Sequence, residues 1–175
     1  IIDNNLVIAN WGYFPDWLKS QSNPRPLFNT RYESLLEKKT FTSAFKNSRC
    51  LIPITGWYEW KEEDGIKQPY YFFDNSDSLL FAAGLYWNRS SGDIETSIIT
   101  REAVSPLYTI HNRSPLLLSK EQRKLWVSDL SSEEIYSKIL DYEYDNIEFH
   151  RVDRAVNNPK NNNDSLIQKY EEVPF

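Results

Sequence analysis

From residue 50 to residue 118 the chain is a succession of short apolar runs divided by turn residues, and this pattern restricts the possible fold more than any other feature. The runs are 50–54, 57–61, 69–73, 79–87, 96–100 and 115–118. Their shortness and their content of Ile, Tyr, Phe, Trp and Thr are those of strands. Glu62-Glu63-Asp64-Gly65 and Asp74-Asn75-Ser76-Asp77 supply turn chemistry between neighbours, because Asp and Gly tolerate the left-handed backbone that tight hairpins need. Strands joined this tightly run antiparallel. Beyond them, Ser119-Lys120-Glu121-Gln122 and Ser131-Ser132-Glu133-Glu134 are capping boxes that open helices to about Val127 and about Leu140. An interrupted helical pattern covers 32–45, and Val7-Ile8-Ala9-Asn10 reads as the end of a strand. The expected class is α+β, a mostly antiparallel, curved barrel-like β-sheet core with peripheral helices. A length of 175 residues suits one domain over 1–175.

Bulk charge is a poor guide here. The net charge is −5, yet residues 129–148 hold seven acids and one lysine, so the remainder is close to neutral. Arg25, Arg31, Arg49, Arg101, Arg113, Arg151 and Arg154 leave room for a focused phosphate site, since local patches rather than net charge decide phosphate binding. No apolar run reaches transmembrane length. The single cysteine, Cys50, sits in the strand-like Arg-Cys-Leu-Ile-Pro and reads as a buried structural thiol of a reducing compartment.

Three clusters carry chemistry. In Gly56-Trp57-Tyr58-Glu59-Trp60, strand alternation puts Glu59 on the face of Trp57, with Tyr58 and Trp60 on the other. A carboxyl beside an apolar ring loses hydration, so its pKa rises and it exchanges protons near neutrality. The competing reading is a half-buried strand in which Glu59 pairs with Lys61 or Lys67. His111 lies in a polar cluster before a strand, two residues from Arg113. That arrangement suits a proton carrier beside a phosphate holder, or simply a hydrogen-bonded loop histidine. Asn29-Thr30-Arg31 offers an amide and a guanidinium fork, or a helix N-cap. Neither histidine falls in a metal-ligand spacing, and there is no Gly-rich phosphate loop. No metal or cofactor is expected.

The ordered set of motifs resembles the SOS-response-associated peptidase (SRAP) family. The stretches are Trp11-Gly12-Tyr13-Phe14-Pro15-x-Trp17, Asn29-x-Arg31-x-Glu33, Arg49-Cys50-Leu51-Ile52-Pro53, Gly56-Trp57-Tyr58-Glu59-Trp60-Lys61, Gln68-Pro69-Tyr70, Ala82-Ala83-Gly84-Leu85, Ile98-Ile99-Thr100, His111-Asn112-Arg113-x-Pro115 and Arg154-Ala155-Val156-Asn157-Asn158-x-Lys160-Asn161. The resemblance implies a sensor of abasic sites in single-stranded DNA, a monomer with no membrane partner. It would be located in the bacterial cytoplasm or, in a eukaryote, the nucleus. It implies a cysteine at position two, exposed by autocatalytic Met removal, whose α-amine and thiol close a thiazolidine on the ring-opened sugar. It assigns Asn29, Glu59 and His111 to catalysis, converging on one cleft. Arg31, Arg113 and Thr100 would hold phosphates, and Trp17 and Trp60 would pack against bases or wedge a duplex junction. The family's Met-Cys-Gly-Arg start is not among these residues, and the chain opens on Ile1 without a Met. A native N-terminal segment is therefore expected before it. The alternative is a non-covalent single-strand or junction binder.

Overall fold

The computed structural model describes residues 1–76, 78–140 and 146–170. The fold is α+β with largely antiparallel sheets and helices beside them, as the strand series implies. The chain separates into two compact units. The larger holds 1–53, 81–102 and 113–144, and the smaller holds 54–80, 103–112 and 145–175.

Strands of the larger unit are β1 (Asn10–Trp11), β2 (Asn29–Arg31), β3 (Arg49–Ile54), β6 (Leu80–Asn88), β7 (Ile94–Glu102) and β8 (Arg113–Pro115), and its helices are α1 (Lys39–Asn47), α2 (Lys120–Trp126) and α3 (Ser132–Lys138). Strand β7 is the hub. It pairs in parallel with β1 and β2 and antiparallel with β6 and β8. Ile98 faces both Asn29 and Gly84, and Thr100 faces both Arg31 and Pro115, so β1 and β2 line one edge of β7 while β6 and β8 line the other. The core packs Phe41, Ala44 and Phe45 of α1 against Leu51, Ala83, Leu85, Ile99, Leu116, Leu118, Trp126, Ile135 and Ile139. Both capping boxes form: Ser119 accepts from the Gln122 amide and Ser131 from the Glu134 amide, with the acceptor side chains reaching back. Each cap contributes about 1 kcal/mol.

Cys50 and Gly84 show how tight the β3–β6 contact is. A Cβ on Gly84 would lie 2.6 Å from Ile52 and 2.9 Å from the Cys50 sulfur, so only glycine fits. Arg49 is spent within the fold. Its guanidinium donates to the carbonyls of Phe45, Trp126 and Ser128, capping the C-terminal ends of α1 and α2.

The smaller unit is built on β4 (Gly56–Glu63), β5 (Ile66–Asp74) and β9 (Ile147–Arg151), antiparallel in the order β4-β5-β9. Asp64 and Gly65 have φ of 50° and 76°, the two left-handed residues of a type I′ hairpin. Register divides its aromatics by face. Trp57, Phe72 and Phe149 stack on one side at centroid distances of 4.9 and 5.0 Å. Tyr58, Tyr71, Phe73 and His150 form a chain on the other, at 5.3, 5.9 and 5.2 Å.

Several sequence expectations are corrected. Asn29–Arg31 is a strand rather than a helix cap, and the helical pattern over 32–45 splits into a 3-10 turn at Tyr32–Ser34 and α1. Of the strand end read at Val7–Asn10 only Asn10 is in a strand, and Ile8 is 99% exposed. Strand β9, which begins inside the acidic stretch 129–148, is not among the expected strands. The turn around Asp74 forms with Asp74 accepting from the Ser76 amide, while Asp77 lies outside the described residues. No helix among the described residues is long and apolar enough to cross a membrane.

Candidate functional site

The smaller unit brings Glu59 and His111 together. Glu59 stands on β4 opposite Tyr70, on the same face as Trp57. Trp57 lies flat on Phe72, and its indole N–H is buried with no hydrogen-bond partner among the described residues. His111 closes the loop 103–112. That loop is pinned by the Ala103 amide donating to Asn112 (3.0 Å) and the His111 amide donating to Leu107 (3.2 Å). The His111 Nδ1 lies 3.3 Å from a Glu59 carboxylate oxygen, so neither Lys61 nor Lys67 is the partner of Glu59. Lys61 instead lies 3.9 Å from Glu63.

Burial pushes the Glu59 carboxyl up to about 7, against the attraction of His111. Near neutrality it is then part acid and part carboxylate, so it both gives and takes protons. The imidazole beside it either accepts the carboxyl proton or donates its own N–H to the carboxylate. The pair is held on a strand and a pinned loop.

The larger unit holds Asn29 and the residues expected to hold phosphates. Residues facing each other in register share a side of the sheet, and side chains alternate along each strand. Asn29, Arg31, Thr100 and Arg113 therefore lie on one face of the β2–β7–β8 ribbon. Thr30, Ser97, Ile99 and Ser114 lie on the buried face, where the Thr30 and Ser97 hydroxyls are 2.8 Å apart. Asn29 is exposed.

Arg113 is already engaged. Its fork donates to both carboxylate oxygens of Glu33 at 2.9 and 3.0 Å, and one nitrogen also donates to the Thr100 carbonyl at 2.7 Å. The bound fork holds the Glu33 carboxyl below the usual carboxylate range, with a smaller pull from Arg31. Glu33 stands in the same motif as Asn29 and Arg31, yet nothing in the sequence joins it to a partner 80 residues away.

Trp17 lies in the 3-10 turn Asp16–Ser20 and is 52% exposed, and Trp60 on β4 is 37% exposed. The Trp60 indole donates to the Asn157 side-chain oxygen at 2.8 Å, a contact sequence reasoning missed. Among the described residues no cluster of His, Cys, Asp and Glu has the grouping of a metal site. Cys50 is buried, and burial pushes its thiol up to about 12. It has no thiolate to offer near neutrality.

The sequence model of the family described as SOS response associated peptidase (SRAP) matches residues 2–159, and the chain belongs to that family. Among its relatives, the abasic site processing protein YoqW of Bacillus subtilis (strain 168) is 34% identical over 175 residues, covering 96% of this chain and 78% of the relative. The abasic site processing protein YedK of Escherichia coli (strain K12) is 31% identical over 164 residues, covering 90% and 72%. The abasic site processing protein HMCES of Mus musculus is 29% identical over 197 residues, covering 91% of this chain and 55% of the relative. A crystal structure of a protein from Bacteroides thetaiotaomicron aligns with a TM-score of 0.80 and 26% identity, covering 93% of this chain and 76% of that one.

Proposed function

We propose that this protein processes abasic sites in single-stranded DNA by forming a covalent thiazolidine crosslink, and that it acts as a monomer. The Glu59–His111 pair carries the reading. Its carboxyl is poised near 7, where imine chemistry needs one group to take a proton from an attacking amine and return it to a departing hydroxyl. The names of the relatives point to the same substrate class.

In the proposed sequence the α-amine of an N-terminal cysteine, exposed by Met removal, adds to the C1′ aldehyde of the ring-opened sugar. Water leaves to give an imine, and the thiol of the same cysteine adds across the C=N bond with its proton passing to nitrogen. The α-amine suits this role because it titrates near pH 7.7–8.0 (about half free base just above neutrality). Glu59 moves the protons in both steps and in the peptide cleavage that frees the amine. His111 assists opening of the sugar and contacts the 3′ phosphate. Asn29 orients the sugar or the amine. Arg31, Thr100 and Arg113 hold phosphates, and Trp17 and Trp60 meet bases. Cys50 has no free α-amine and no thiolate, so it has no part in the crosslink.

The test is denaturing electrophoresis after incubation with an abasic single-stranded oligonucleotide. A form carrying a Met-Cys start should give a heat-stable crosslinked band, unaffected by Cys50→Ser and abolished by replacing the cysteine at position two. A heat-stable band from residues 1–175 alone would overturn the covalent reading. Binding without any band from the Met-Cys form would make this a non-covalent single-strand module.

A further inference from the structure

The proton chemistry leaves one motif without a task, Arg154-Ala155-Val156-Asn157-Asn158-x-Lys160-Asn161. The Asn-rich stretch from Asn157 to Asn163 reads as a tail ordered only by what it touches, but side chains of the segment itself fasten it. Asp153 accepts from the Ala155 amide at 2.7 Å, and Asn158 accepts from the Lys160 amide at 3.1 Å. The Asn161 side chain donates to the Ala155 carbonyl at 2.8 Å, and Asn163 caps the Ser165 amide at 3.1 Å. Turns of this kind let Asn and Asp fix a backbone without a helix or a sheet. Both ends of the segment are tied to the sheet of the smaller unit. The Val152 amide donates to Pro69 at 3.1 Å and the Tyr170 amide to Arg151 at 2.8 Å, while Leu166 is buried between them in sequence.

From this fastened strap the Asn157 side-chain oxygen accepts the Trp60 indole N–H at 2.8 Å. Trp60 belongs to β4, which ends the β4-β5-β9 order, and the residue is 37% exposed. An aromatic at a sheet margin samples several rotamers unless something holds its polar tip, and each freed rotamer must be ordered again on binding. A hydrogen bond at the ring edge removes that freedom without itself occupying the π-face, and the neighbouring Tyr58 ring is tilted by 47° at a centroid distance of 6.5 Å. We propose that Asn157 is a positioning residue, holding the Trp60 indole ready to stack on an unpaired base. The inference rests on the DNA reading of Trp60 above and gives the Asn-rich strap its task.

The experiment is fluorescence anisotropy with a fluorescein-labelled, undamaged single-stranded oligonucleotide, which reads binding apart from any covalent step. Trp60→Ala should weaken binding about 5- to 100-fold, the range for loss of one base stack. Asn157→Ala should weaken it about three- to tenfold, the scale of re-ordering one side chain. In a Trp60→Phe background, which keeps a ring but no N–H, Asn157→Ala should add almost nothing, because the two changes break one contact. Asn157→Asp keeps the acceptor and should match the parent once salt screens its added charge. Melting curves check that each variant is folded. Equal losses from Asn157→Ala in the parent and the Trp60→Phe backgrounds, or no loss in the parent, would overturn the positioning role while leaving Trp60 on the DNA. No loss in Trp60→Ala would remove the DNA contact and the inference together. Failure to crosslink, with these binding effects intact, would touch only the covalent reading.

Discussion

Glu33 and Glu59 are the same side chain in opposite settings. Glu33 sits half exposed against the Arg113 fork, takes two charge-assisted hydrogen bonds, and is held ionised below the ordinary carboxylate range. Glu59 sits beside a stacked indole on a sheet face, has a histidine 3.3 Å away, and is pushed up to about 7. Burial and partner, not residue type, set the difference. A carboxyl with a full guanidinium is fixed in one state and serves as an anchor. A desolvated carboxyl pushed toward neutrality changes state easily and suits proton transfer.

The sharpest way to break this contrast is a rate measurement. In a form with an N-terminal cysteine, Glu59→Gln should slow abasic-site crosslinking by about 10²–10⁴-fold, the worth of a positioned acid–base group. Glu33→Gln should cost no more than about tenfold, since it loosens only the orientation of Arg113. Time courses on denaturing gels separate the two, and equal losses would erase the distinction.

Stability against pH gives a smaller effect with opposite signs. At pH 8 Glu59→Gln should stabilise the fold by about 3 kcal/mol, because the amide keeps the neutral shape that burial favours. The folded pKa lies above the ordinary 4.5, so the penalty on the parent develops between about 4.5 and about 7 and is absent below that window. Glu33→Gln should instead destabilise at pH 8, by about 1 kcal/mol or less for a pair this exposed. Its folded pKa is depressed, so the Glu33 contribution is present above the ordinary carboxylate range and fades as pH falls through the lowered value. Urea denaturation of both variants at pH 8 and pH 4 reads the signs, and shifts of the same sign would sink the comparison.

The smallest effect sharpens the anchor side. In single-stranded DNA binding, Arg113→Ala should make the slope of log affinity against log salt shallower by about 0.7, one phosphate contact. An unchanged slope would move the phosphate contact away from Arg113 and leave the Arg113–Glu33 pair a purely structural clamp.

Features fixed within a few residues were legible from the sequence. The two capping boxes and the Asp64-Gly65 hairpin formed because their donors, acceptors and backbone conformations lie within one turn of chain. The alternation that set Glu59 on the side of Trp57 held because a strand has period two wherever it runs. Asn29–Arg31 escaped as a strand because a short parallel pair owes its existence to β7, about 70 residues on, and to nothing local. Arg49, read as one arginine of a possible basic patch, went instead to helix C-terminal ends that meet it only in the fold.

The sequence by itself determined the capped helices, the Asp64-Gly65 hairpin, the alternation of faces and, through an ordered set of motifs, the family. The tertiary structure alone decided the partners: His111 for Glu59, Glu33 for Arg113 and Asn157 for Trp60. Hydrogen bonds and desolvation act over a few ångströms in space. Residues 52, 80 and 97 positions apart come that close only after the chain has folded.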